Sequence, residues 1–179
     1  MLIVCSYLNE LHPALRSPDR RAFAVQALLD AGLRCGRSFR LQFDRQRLER
    51  AIGPDVLTRL MPGLPPPGSE AAEAAQAAQA AGSFLDVHEE LLDPARSELL
   101  RHLLSYEPKG WDDWPLGHIE SSALLDSEGR VVLRGANSNE FILFALPEAE
   151  RASVLKSLEE RGIPADVIEE IEVDINQGV

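Results

Sequence analysis

A chain of 179 residues, 45% of them hydrophobic, can build an ordinary core, as one domain or as two small ones. Its formal net charge of −11 argues against nucleic acid as a partner, because a phosphate backbone is bound by cations. The same charge argues against an anionic membrane surface, and no apolar run approaches the roughly 18 residues that a membrane-spanning helix needs.

Leu2–Leu8 is apolar enough for a buried strand. It lacks a basic leader and soon runs into Asn9, Glu10, Leu11, His12 and Pro13, so it reads as a first strand and not as a signal peptide. Ser17, Pro18 and Asp19 then supply a hydroxyl cap, a first-turn proline and an acid at the positive end of a helix dipole. The helix they start carries Ala22, Phe23, Val25, Ala27, Leu28 and Leu29, and Gly32 stands where helices commonly end. From Cys35 to Phe43 the apolar and polar residues alternate, which predicts a half-buried strand. Cys5 and Cys35 both fall in predicted strands. Two cysteines make no disulfide scaffold, so free thiols in a reduced, cytoplasmic setting are expected, with a Cys5–Cys35 bridge as the alternative.

Asp44 is placed to cap a short helix to about Ile52, and Gly53, Pro54 and Asp55 restart one carrying Val56, Leu57, Leu60 and Met61. Pro62 to Gly68, with three consecutive prolines, reads as an extended spacer. It divides the chain into 1–61 and 69–179, unless residues 1–179 form one domain. After Ser69 comes a nearly pure alanine stretch, Ala71–Ala81, of high helix propensity but little buriable area. The heavier segment behind it, with Phe84, Leu85, Val87, Leu91 and Leu92, is read as helix too. Asp93 and Pro94 begin another, with Leu99, Leu100, Leu103 and Leu104 inside it.

The C-terminal third alternates elements. His118–Leu125, Arg130–Arg134 and Glu140–Leu146 read as strands, with a glycine hairpin turn at Ser127–Arg130 and a second turn at Gly135–Asn139. The unbroken run Phe141, Ile142, Leu143, Phe144 predicts a central strand covered on both faces. Pro147 opens a helix to Arg161, Pro164–Glu170 offers a further helical turn, and Ile171, Val173 and Ile175 alternate with Glu172 and Asp174 in a last strand with a wet face. A helix joining two parallel neighbours must cross over right-handed. The fold class is therefore α+β: a mixed or mainly antiparallel sheet with helices packed on it, and a helical middle segment.

Charge is unevenly spread. Residues 1–60 carry +4, residues 61–108 carry −6 and residues 109–179 carry −9. Either the parts pack together and neutralise one another, or an acidic surface engages a basic protein. The basic series Arg34, Arg37, Arg40, Arg45, Arg47 and Arg50 is expected to bridge to the acidic C-terminal part. It does not form one patch, because Arg37 and Arg40 point to opposite faces of the predicted strand.

Chemistry-bearing motifs are sparse. His88-Glu89-Glu90 lacks the second histidine of a zincin, Gly-x-Ser-x-Gly is absent, and the turn at Gly135–Asn139 is not followed by a phosphate-binding lysine. The tight group of metal-capable side chains is Asp112, Asp113, His118 and Glu120, where His118 and Glu120 would share a strand face. Such a set would hold one divalent ion and activate a bound water for hydrolysis. Trp111 and Trp114 flank the two aspartates. They either close the core where helices meet the sheet or, with Asp112 and Asp113, anchor a protein partner. By exclusion the sequence points to a non-enzymatic, cofactor-free protein that binds another protein, a basic one, in the manner of an inhibitor, immunity-type or adaptor protein. The alternative is a metal-dependent hydrolase centred on the four residues above.

Overall fold

The computed structural model of the chain describes residues 3–9, 11–65, 69, 86–104, 119–136, 141–173 and 175. Among these are seven strands: β1 (Ile3–Leu8), β2 (Ser38–Phe43), β3 (Asp86–Leu91), β4 (Ile119–Leu125), β5 (Val131–Ala136), β6 (Phe141–Phe144) and β7 (Ile168–Val173). The described helices are α1 (Pro18–Cys35), α2 (Arg45–Ile52), α3 (Pro54–Leu60), α4 (Pro94–Leu104) and α5 (Glu148–Glu160), with 3₁₀ turns at Pro13–Leu15 and Ala165–Val167. The strands form one antiparallel sheet in the order β3-β2-β4-β5-β6-β1-β7, so the α+β class is correct.

Strands from the two ends of the chain interleave in this sheet. β1 and β2 run parallel with three strands between them, and α1 joins them. Its 18 residues reach about 27 Å at about 1.5 Å per residue. The four inter-strand steps to be crossed cover about 19 Å, so this one helix is long enough to make the crossing. Two shorter crossovers follow a common plan: β3 and β4 straddle β2, while β6 and β7 straddle β1. The strands joined by α5 are therefore not the neighbours that the sequence suggested.

All five described helices pack on one face. Phe39, Leu41, Phe43, Leu124, Leu133 and Phe144 from the strands form one buried cluster with Leu28 of α1, Leu48 of α2, Leu60 of α3, Leu100 of α4 and Leu158 of α5. On the other face lies a smaller cluster of Cys5, Ala123, Leu125, Val131, Leu143 and Ile175. Ile142, Leu143 and Phe144 are all buried in succession, as expected for a central strand with both faces covered. The two thiols are free and lie in different clusters, Cys5 in the second-face cluster and Cys35 against the helix-side core, which removes the bridge alternative.

Several local signals are realised as read. Asp44 Oδ1 accepts the Arg47 N–H at 3.0 Å and caps α2, Asp93 Oδ1 accepts the Arg96 N–H at 2.7 Å and caps α4, and Gly53 joins α2 to α3 with φ 85°. Gly32 is a correction. α1 runs past it to Cys35, which is thus helical and not in a strand, and Gly36 caps the helix. A Cβ at Gly32 would stand 3.0 Å from Leu124 Cδ1 and 3.1 Å from Leu133 Cβ, so the missing side chain lets α1 lie close on β4 and β5.

The helical middle is a second correction. Asp86–Leu91 is the edge strand β3, in register with all of β2. Val87, Glu89 and Leu91 are exposed while His88 and Glu90 between them are half-buried, a period of two that the apolar spacing of Phe84, Val87 and Leu91 concealed. Tertiary partners decide it. Arg40 stands opposite Glu89 and bonds Oε2 through Nη2 at 2.6 Å and Nε at 3.0 Å.

Candidate interaction surface at the C-terminal edge

β7 is an edge strand, and three of its six residues are glutamates. Its placement is built locally. The 3₁₀ turn at Ala165–Val167 delivers the chain into β7, and the Asn9 N–H donates to the Val167 carbonyl at 2.8 Å, fixing the register against β1. Pairing of Tyr7 with Glu169, Ser6 with Glu170 and Val4 with Glu172 then sends the glutamates to different faces.

Glu169 is held on the second face. Tyr7 Oη donates to its Oε2 at 2.6 Å and Asn9 Nδ2 to its Oε1 at 2.5 Å. The tyrosine hydrogen bond first, then the asparagine, holds this carboxyl below the usual range, and the same bond pushes the Tyr7 phenol up. Beside this group His12 Nδ1 accepts the Ala14 N–H at 3.1 Å, which leaves Nε2 to face Asp166 at 3.5 Å. On the helix side Glu170 and Glu172 are exposed; Arg151 reaches Glu170 at 3.2 Å. Of the wet face expected at Glu172 and Asp174, Glu172 is exposed and Asp174 lies outside the described residues. Glu170, read from the sequence as part of a helical turn, is strand and joins it, since β7 begins at Ile168.

The preceding helix extends the same character. Glu148, Glu159 and Glu160 are exposed on α5, whereas Glu150 takes Arg34 through Nη2 at 2.7 Å and Nε at 3.1 Å. From Glu148 to Val173 the chain carries eight carboxylates against Arg151, Lys156 and Arg161. Of these three cations, Arg151 is engaged by Glu170 and Arg161 lies 4.9 Å from the Phe23 ring centre.

The arginine series only partly bridges to this region. Arg34 does so, but Arg40 pairs with Glu89, Arg45 donates to the Pro65 carbonyl at 2.6 Å, and Arg47 lies 3.5 Å from Asp44. A crevice of about 370 Å³ separates α1 from α5. Its charged rim is already satisfied within the fold, Arg34 by Glu150 and Asp30 by Arg101 at 2.7 Å.

Trp111, Asp112, Asp113, Trp114 and His118 lie outside the described residues. Glu120 belongs to β4, at a bulge: Gln42 pairs with Ser121 and Phe43 with Ile119, so Glu120 is the extra residue between them. Among the described residues no group of three or more His, Cys, Asp or Glu is arranged to hold a metal ion, and no helix is long and apolar enough to cross a membrane.

Sequence reasoning missed the pair of His88 and Glu90, neighbours on the helix-side face of β3. His88 Nε2 lies 2.9 Å from Glu90 Oε1, which also accepts the Gly63 N–H at 3.0 Å. Burial raises the Glu90 pKa, but the His88 and Gly63 hydrogen bonds outweigh it and hold the carboxyl low. The pair pins the segment after α3 to the sheet edge. The signal for it was the two-residue spacing. No family model, no curated protein and no solved structure matches this chain.

Proposed function

We propose that this chain is a non-enzymatic, cytoplasmic protein-binding or regulatory protein of the inhibitor, immunity or adaptor type, and that it engages a basic protein through the acidic surface of its C-terminal part. The supporting observation is the exposed carboxylate set on α5 and β7, Glu148, Glu159, Glu160, Glu170 and Glu172, in a segment with three cations, of which Arg151 pairs with Glu170 and Arg161 lies over the Phe23 ring. Such a surface accelerates encounter with a partner of opposite charge and repels nucleic acid and anionic lipid. The free thiols of Cys5 and Cys35 fit a reduced compartment.

The test is capture of a partner from host extract on the immobilised full chain, at low and high salt. One basic protein should be retained, released by salt, and lost when Glu159, Glu160, Glu170 and Glu172 are changed together to glutamine. Retention that ignores both salt and these substitutions, or no specific retention, refutes the reading.

A further inference from the structure

We propose that the open edge of β3 pairs with the same edge of a second copy of this chain, joining two seven-stranded sheets across a two-fold axis at Glu89. The argument begins with the backbone. The Leu92 N–H donates to the Arg37 carbonyl at 2.8 Å, so the even-numbered residues of this segment turn their peptide groups toward β2. The Leu91 carbonyl points the other way, where Arg96 Nη1 donates to it at 3.0 Å. Val87, Glu89 and Leu91 therefore turn their N–H and C=O groups outward, along an edge that no described strand covers. Such an edge is a template for another strand.

The side chains select the occupant. Val87 and Leu91 are two of the three large hydrophobic residues that are exposed among the described residues, at 62% and 71%. An antiparallel copy centred on Glu89 sets Val87 opposite Leu91 of the second copy, twice over, on one face of the sheet. On the other face it sets His88 opposite Glu90 of the second copy, again twice. Only Glu89 meets its own kind, and each Glu89 already carries Arg40 at 2.6 Å as counter-ion. Faces are kept only by shifts of two residues. One such shift sets His88 against His88 and the other Glu90 against Glu90, and both lose the Val–Leu pairs. The five residues Val87-His88-Glu89-Glu90-Leu91 are thus complementary to themselves reversed, in one register.

Sedimentation equilibrium on the full chain should show mass rising with concentration from 19.7 kDa toward twice that value. Val87→Pro removes an outward N–H and none bonded to β2, so it should weaken association at least about tenfold, with the circular dichroism spectrum unchanged. Val87→Lys should act in the same way and carries the test if the proline variant misfolds. The register is read by cross-linking. Residues facing each other in a hydrogen-bonded antiparallel pair have Cα atoms about 5.5 Å apart, within disulfide range. Glu89→Cys should therefore yield a disulfide-linked dimer under mild oxidation. Val87→Cys should not, since its two copies would lie about 14 Å apart along the strands. A monomer at every concentration, a dimer indifferent to the Val87 substitutions, or cross-linking that does not favour position 89 over 87 overturns the proposal.

Discussion

At the scale of single residues, two positions report on how the sheet is assembled. The Glu169 carboxyl is held below its ordinary value near 4.5 by Tyr7 and then by Asn9. A group whose folded pKa is depressed contributes stability that is present above its unfolded value and is lost as pH falls through the folded one. Tyr7→Phe should therefore raise the Glu169 pKa toward 4.5 and flatten the acid limb of the stability profile below that pH, as read by carboxyl NMR titration and by unfolding at successive pH values. Gly32 makes the complementary point about packing. Gly32→Val should destabilise by about 1–3 kcal/mol through overpacking, seen as a lower denaturation midpoint, because the added carbons meet Leu124 and Leu133 where α1 lies on β4 and β5. The glycine was visible in the sequence and its reason was not. A glycine near the end of an apolar helix reads as a terminator, and only the strand beneath it shows that it is a contact.

At the scale of elements, the starts of α2 and α4 were legible because their signals are local, whereas the Ser17 hydroxyl makes no cap bond to α1 and Gly32 does not end it. Asp44 lies next to the backbone N–H that it satisfies, as does Asp93. Asp44→Ala should cost about 1 kcal/mol, shifting the urea midpoint with the slope unchanged. Strand β2 was equally legible, since Phe39, Leu41 and Phe43 alternate with the half-buried Arg40 and Gln42. β3 was not. Its apolar residues fit a helical spacing, and its strand conformation depends on Arg40, Ser38 and the backbone of β2, which lie some fifty positions earlier in the chain. The candidate sites divide in the same way. The acidic character of β7 could be counted from composition, whereas the arrest of Glu169 by Tyr7 and Asn9 needed the pairing of the last strand with the first.

At the scale of the whole molecule, the sheet binds the ends of the chain together. β1 stands between β6 and β7, and β2 between β3 and β4. Residues 1–61 and 69–179 expressed as separate pieces should each fail to fold, because each would leave interior strands without ladder partners. Circular dichroism of the pieces, alone and mixed, checks this. The intact chain should unfold in one cooperative transition. Phe144→Ala, on the interior strand β6, should lower its stability by about 3–5 kcal/mol, measured by denaturant unfolding, since this ring is buried in the cluster shared by all five described helices.

Sequence alone determined the α+β class, the Asp44 and Asp93 caps, the alternation of β2 and the acidic C-terminal balance, because each rests on residues adjacent in the chain or on simple counting. Tertiary structure decided the strand order, the identity of β3, the purpose of Gly32 and the partners of Arg40 and Glu169. Those outcomes depend on contacts between segments far apart in sequence, where burial and pairing outweigh local propensity.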